Sequence, residues 1–256
     1  MSSITIDSYT TVSSRLEMRF DDTILSFGTC FFWREGEDCF LVTNWHNLSG
    51  INPITGKHLS NTLAEPNKIQ FDVWINQDLN KRGFACVPIE NEDGPLWLEH
   101  PIHRKSVDVV CLRLPADISP HVFPINKQDQ QPLVTRIADE VFVLGFPMGV
   151  GPEKLPVWKR ASVASEPDID VDRLPKFLID TATAQGMSGS PVVHRTTAGL
   201  TEDGSMSMFA GPVSRFVGVY SGRLTSGNSL EAQLGLVWKS RVIGEIIAGT
   251  TRGLRR

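Results

Sequence analysis

Gly186-Met187-Ser188-Gly189-Ser190-Pro191 sets a serine between glycines, where its hydroxyl can be presented and backbone N–H groups can gather around a developing negative charge. A serine hydroxyl is a weak nucleophile at neutral pH, so this chemistry needs a base and an orienting acid from elsewhere in the chain. Both stand upstream. Thr43-Asn44-Trp45-His46-Asn47 ends an apolar run, and Ser106-Val107-Asp108-Val109-Val110-Cys111-Leu112 sets one acid in a strand-like segment. An α/β-hydrolase would run serine, acid, histidine and carry a G-x-S-x-G elbow. Here the order is His46, Asp108, Ser188, and the second residue after the serine is Ser190, so that alternative fails twice. Taken singly, His46 reads as a strand-end histidine and Ser188 as a turn serine. Asp108 is harder to read so plainly, because an unpaired carboxylate in an apolar strand is costly and calls for a partner.

The segments that must position these residues read as short strands between turn signals, an all-β pattern. Ile24–Trp33 and Cys39–Asn44 flank the polar turn Arg34-Glu35-Gly36-Glu37-Asp38 as a hairpin; Lys68–Ile75 pairs with Phe84–Ile89; Val107–Leu114 is a central strand. The proline-rich stretch from Pro115 to Pro132 reads as a crossover between halves. Strands then follow at Glu140–Phe146, Val157–Ala164, Phe177–Thr181, Val192–His194, Arg215–Tyr220 and Leu234–Trp238, with a long mobile loop expected from Thr196 to Pro212. Ser240 is an N-cap signal for a terminal helix with Val242, Ile243, Ile246 and Ile247 on one side.

Composition bounds the remaining classes. The chain has 256 residues, 41% hydrophobic and 21% charged, with a net charge of −4, which disfavours a nucleic-acid partner. The basic end, Arg252, Arg255 and Arg256, reads as solvated. No apolar run approaches the ~20 residues that span a bilayer, so no membrane partner is expected. Met1–Asp7 lacks the basic and apolar regions of a secretory signal, and Cys30, Cys39, Cys86 and Cys111 form no paired doublets. The expectation is a cytoplasmic protein with reduced thiols. His100 and His103 beside Glu99 lack further ligands, and Asp168, Asp170 and Asp172 lack the glycine and glutamate of an EF-hand, so no metal and no cofactor are expected. The three acids read as a solvated loop, Trp45 and Trp158 as packing residues, and His58, His121 and His194 as chemically silent.

Several fragments in this order resemble the trypsin-like, chymotrypsin-fold serine proteases, nearest the bacterial branch of high-temperature-requirement proteases and glutamyl endopeptidases. Gly28-Thr29-Cys30-Phe31-Phe32 resembles the strand before the family's histidine, and Val42-Thr43-Asn44-Trp45-His46 its T-x-x-H motif. Val107-Asp108-Val109-Val110-Cys111-Leu112 is similar to the aspartate strand. Val143-Leu144-Gly145-Phe146-Pro147-Met148-Gly149 is similar to the second-barrel turn, and Ile179 through Pro191 to the nucleophile loop. The resemblance implies two antiparallel six-stranded β-barrels with a C-terminal α-helix: residues 1–120 carrying His46 and Asp108, and residues 121–256 carrying Ser188. It implies catalytic roles for His46, Asp108 and Ser188 and an oxyanion hole from the N–H groups of Gly186 and Ser188. It also implies a specificity pocket lined by Ala182, Thr183, Tyr220, Ser221, Gly222 and Arg223.

Where trypsins activated by N-terminal cleavage carry an aspartate before the nucleophile, this chain has Met187, so that switch is not expected. Asn47 replaces the cysteine after the histidine, and no PDZ domain is expected after the terminal helix. With Ala182 at the pocket floor, basic P1 residues are disfavoured. A small or medium apolar P1 suits Ala182 and Tyr220, while an acidic one could use Thr183 and Arg223. The implied function is a serine endopeptidase working through an acyl-enzyme on protein or peptide substrates, as a dedicated intracellular processing protease. The alternative is a catalytically silent trypsin-fold module that binds peptides or partners. A regulatory protein partner and self-processing in cis both stay open.

Overall fold

The structure, a computed structural model, describes residues 6–182, 184–223 and 234–254. Its first half holds β1 (Ser13–Phe20), β2 (Thr23–Glu35), β3 (Asp38–Thr43), α1 (Trp45–Ser49), β4 (Lys68–Trp74), β5 (Arg82–Pro88), β6 (Glu90–Asn91), β7 (Gly94–Pro95), β8 (Trp97–Glu99) and β9 (Val110–Arg113). Apart from the small β6–β7 ladder these form one antiparallel sheet in the order β5-β4-β1-β2-β3-β9-β8. The sheet is thus barrel-like with seven strands, one more than expected, because Trp97–Glu99 adds beside β9. Two further elements differ from the sequence expectation. β1 was not anticipated, although Leu16 and Met18 face the core while Arg15, Glu17 and Arg19 alternate with them. The aspartate segment is shorter than a Val107–Leu114 strand, because Val109 N–H closes on the Val107 carbonyl at 2.8 Å and delays the ladder until Val110.

The second half comprises β10 (Glu140–Gly145), β11 (Val157–Val163), β12 (Lys176–Asp180), β13 (Pro191–Leu200), β14 (Met206–Arg223), β15 (Leu234–Lys239) and α2 (Arg241–Gly249). The strands close into a barrel, β10-β11-β12-β15-β14-β13. The loop expected from Thr196 to Pro212 is instead the outer end of the β13–β14 hairpin. Its tip is held by Asp203, whose Oδ1 accepts from Thr201 Oγ1 at 2.6 Å and from Ser205 N–H at 3.0 Å, with Gly204 at φ +85°. The Gly and Ser content there serves the turn and the bulges rather than a loop.

Each sheet has its own core, Leu16, Phe32, Leu41, Ile69 and Trp97 in the first and Val141, Val143, Ile179, Val192 and Val237 in the second. A third cluster joins them. Phe31, Val42, Val107 and Val109 from the first half pack with Leu144, Val193, Phe216 and Val219 from the second, and α2 covers the seam with Val242, Ile243 and Ile246. Ser240 sits at the N-cap position of α2 but makes no side-chain capping bond. Phe31 and Phe216 meet across the seam with ring centroids 5.4 Å apart. Because each half contributes one apolar wall, the loops at the mouth of this seam are fixed relative to one another.

Candidate active site

His46 lies on α1, a single turn that follows β3 directly. The turn is closed by Gly50, left-handed at φ +70°, whose N–H bonds the His46 carbonyl at 3.0 Å. Asn44 anchors its start by donating from Nδ2 to the Asp108 carbonyl at 2.7 Å. Asp108 is the central residue of the tight turn between Val107 and Val109. Both valines are buried in the seam, which aims the intervening side chain at α1.

The Asp108 carboxylate is almost fully buried and accepts three donors. His46 N–H reaches Oδ1 at 3.0 Å, His46 Nδ1 reaches Oδ2 at 2.7 Å, and Ser221 Oγ donates to Oδ2 at 2.5 Å. Nδ1 is the ring nitrogen placed to donate to the carboxylate, which in the neutral imidazole leaves the lone pair on Nε2. Ser221, placed by sequence in the specificity pocket, has its hydroxyl on the acid instead. No local sequence signal marks this, because only the fold brings Ser221 to Asp108.

Ser188 sits in the loop between β12 and β13, and each carbonyl from Ala184 to Ser188 is occupied. The Gln185 carbonyl takes Met148 N–H at 2.6 Å, Gly186 takes Thr29 Oγ1 at 2.9 Å, and Met187 takes Ser190 Oγ at 2.6 Å. The Ser188 carbonyl accepts from Thr29 N–H at 2.9 Å and from Asn47 Nδ2 at 3.2 Å. In a trans peptide the N–H points away from the preceding carbonyl. With the carbonyls of Gln185 and Met187 committed, the N–H groups of Gly186 and Ser188 are aimed the other way. Among the described residues neither donates to another protein acceptor.

Glycine is required here: Gly186 has φ +94°, and a Cβ on it would lie 2.5 Å from the Phe146 carbonyl oxygen. Asn47 therefore does in this chain a bracing job between the histidine turn and the nucleophile loop, holding Thr43 Oγ1 at 2.9 Å as well. Met187 is buried beside Tyr220 and Val192 in the core of the second barrel.

The pocket residues separate. Ser221, Gly222 and Arg223 line a cleft of about 310 Å³ together with His46, Asp108 and Leu236. Tyr220, expected on the pocket wall, is 1% exposed and packs in the second barrel's core, because Gly235 leaves its ring room to turn inward. Ala182 is exposed at the end of β12, and Thr183 lies outside the described residues. A second cleft, about 300 Å³, opens beside Gly186 and is lined by Ile24, Leu25, Phe27, Met148 and Gln185.

The features read as silent have structural partners. His100 Nε2 meets Glu245 Oε2 at 2.9 Å while its Nδ1 accepts two backbone N–H groups. Asp170 binds Lys239 and Arg241, and Asp172 binds Lys176, so these acids are more than a solvated loop. Trp158 donates to Thr10 Oγ1 and Trp45 to Glu99. Among the described residues no group of three or more histidines, cysteines and acids could hold a metal ion. No helix among them is long and apolar enough to cross a membrane.

A barrel-like sheet packed on a closed β-barrel, with a serine loop, a histidine turn and a buried aspartate at their seam, defines a serine protease architecture. Residues 28–199 match the family model of the trypsin-like peptidase domain, and the chain belongs to that family. It is accordingly a serine protease, a hydrolase whose substrates are peptides or proteins. No curated protein matches its sequence. Among solved structures it is similar to the active form of protease Rv3671c from Mycobacterium tuberculosis, with a TM-score of 0.51 at 17% identity over 96% of this chain and 84% of that one. It is also similar to the serine endoprotease from Yersinia pestis, with a TM-score of 0.50 at 13% identity over 96% of this chain and 67% of that one. At these identities the likeness is one of fold.

Proposed function

We propose that the chain cleaves peptide bonds with Ser188 as nucleophile, His46 as general base and then acid, and Asp108 as the group that fixes the His46 tautomer. The observation that carries this is the Asp108 carboxylate, buried and shared between the His46 ring and its own backbone N–H. His46 Nε2 takes the Ser188 proton as Oγ attacks the scissile carbonyl. The oxyanion then accepts from the N–H groups of Gly186 and Ser188, and His46 returns the proton to the departing amine, leaving an acyl-enzyme for water.

The acyl side of the substrate lies along β14. On its β13 side β14 is hydrogen-bonded as far as Tyr220, whose N–H donates to the Ser190 carbonyl and whose carbonyl accepts from Gly189 N–H, while Gly222 and Arg223 pair with β15 on their other edge. Among the described residues nothing pairs with the outer edge of Ser221–Arg223, which makes it a place for an extended peptide to add as a strand. Ser221, Gly222 and Arg223, the residues of that edge, carry no carboxylate, which fits an apolar P1 better than lysine or arginine. On the leaving-group side, the cleft of Phe27 and Met148 suits a large apolar residue. The four cysteines are free, three of them buried, in keeping with work in a reducing compartment.

Labelling with a fluorophosphonate tests the assignment. The wild type is expected to label and Ser188→Ala and His46→Ala to stay dark. Labelling that survives Ser188→Ala, or a wild type that never labels even with peptide substrate present, overturns it.

A further inference from the structure

Glu99 is 2% exposed, at the end of β8, and its carboxylate is the meeting point of three segments. Oε1 accepts the indole N–H of Trp45 at 3.0 Å, the indole N–H of Trp97 at 3.2 Å and the backbone N–H of Leu254 at 3.1 Å. Oε2 faces Arg104 Nε at 3.3 Å. A buried carboxylate is costly without such donors, and here both of its oxygens are engaged.

Trp45 is the residue before His46 and opens α1, so the bond to its indole fixes the first turn of the element that presents the base. The segment after α2 completes the arrangement. Glu99 N–H donates to the Thr251 carbonyl at 2.8 Å, Gly253 N–H donates to the Trp97 carbonyl at 2.9 Å, and Arg104 Nη2 donates to the Arg252 carbonyl at 2.9 Å. That segment thus lies on the edge of β8 like a short added strand. It seats tightly, since a Cβ on Gly253 would lie 2.3 Å from Trp97 Nε1.

We infer that Glu99 is a positioning residue for the hydrolytic reaction, holding Trp45 and through it the His46 turn, with Thr251–Leu254 as the other jaw of the same clasp. The inference rests on the assignment of His46 as the base. A short, single-turn helix has little stability of its own, so its orientation depends on such outside ties.

The test uses Trp45→Phe, which removes one N–H and keeps most of the volume, Glu99→Leu, which removes the acceptor, and the double variant. Each preparation is titrated with the fluorophosphonate, so that rates refer to competent molecules and folding losses drop out. Each single variant is expected to lower kcat about five- to tenfold with KM unchanged, the scale of a slightly misplaced catalytic group. The double variant is expected to be no slower than the slower single, because both remove one interaction. Gly253→Ala, which pushes the tail off Trp97, is expected to lower kcat in the same way without touching α1. An unchanged kcat in titrated Trp45→Phe and Glu99→Leu, or losses that multiply in the double, overturns the inference while leaving the peptidase reading intact. A wild type that cannot be titrated overturns both.

Discussion

Ser221 Oγ donates to Asp108 Oδ2 at 2.5 Å, the same oxygen that the His46 ring engages at 2.7 Å. The two bonds arrive from different halves of the molecule, one from α1 beside the first sheet and one from the end of β14 in the second barrel. The acid is therefore where the two halves register against each other. Its burial makes each donor matter, because a carboxylate that loses a partner in a site closed to water regains little from solvent.

Ser221→Ala should therefore reduce kcat by about tenfold or less, while Asp108→Asn, which removes the acceptor that selects the His46 tautomer, should reduce it by about 10⁴. Steady-state kinetics on one peptide substrate separates the two. Equal losses would mean that Ser221, not the tautomer, dominates the acid's role.

Gly186→Ala should leave the fold near intact and cripple turnover. The added methyl has no room against the Phe146 carbonyl and Met148 N, and the backbone at φ +94° resists a side chain. The loop must shift, and the Gly186 N–H leaves the oxyanion position. The expected fall in kcat is about 10²–10³, the cost of one lost donor. Circular dichroism should match the wild type, and a variant with wild-type kcat would remove Gly186 from the site.

How much of this was legible in the sequence differs by element. The order of His46, Asp108 and Ser188 and the alternating strands were readable because they are local: a motif of a few residues, or a period of two along one strand. The role of Ser221 was not, since nothing in its neighbours points to an acid more than a hundred positions away; only barrel closure brings it there. Tyr220 was misplaced for a similar reason. Its orientation follows from the space left by Gly235 on the paired strand, a cross-strand fact. The Thr196–Pro212 segment differs for another reason: its Gly and Ser residues read locally as a loop, while the long hairpin pairing that uses them as turn and bulge residues is set by β14 as a whole. The clasp at Glu99 joins residues from three distant segments and left no sequence signal beyond a glutamate that ends the apolar run Leu96–Leu98.

Phe27→Ala should change selectivity rather than chemistry. Phe27 is 37% exposed and Met148 is 71% exposed, beside Gly186 at the mouth of the leaving-group cleft. Truncation removes apolar contact with the residue after the scissile bond. For peptides with Leu or Phe there, kcat/KM is expected to drop by about tenfold, and for Gly there to change little. A uniform change across both peptides would argue that the ring supports the loop and does not touch substrate.

His194 makes stability depend on pH in a defined direction. It is buried in β13, and burial lowers its pKa from the usual 6.5, with Asp139 opposing and Arg215 and Arg136 adding to the shift. Its Nδ1 lies 3.2 Å from Thr135 Oγ1, while Asp139 Oδ2 is 4.0 Å from Nε2, too long to hold a full charge in place. The unfolded chain therefore binds a proton that the folded chain refuses. Stability is intact above the unfolded value and is lost as pH falls below about 6.5, by up to about 1.4 kcal/mol per pH unit until the folded pKa is reached. Urea midpoints measured at pH 7.5 and pH 5.5 should show a drop in the wild type and a smaller drop in His194→Gln, which keeps a polar group near Thr135 but does not titrate. Identical drops in both proteins would place the acid sensitivity on another group.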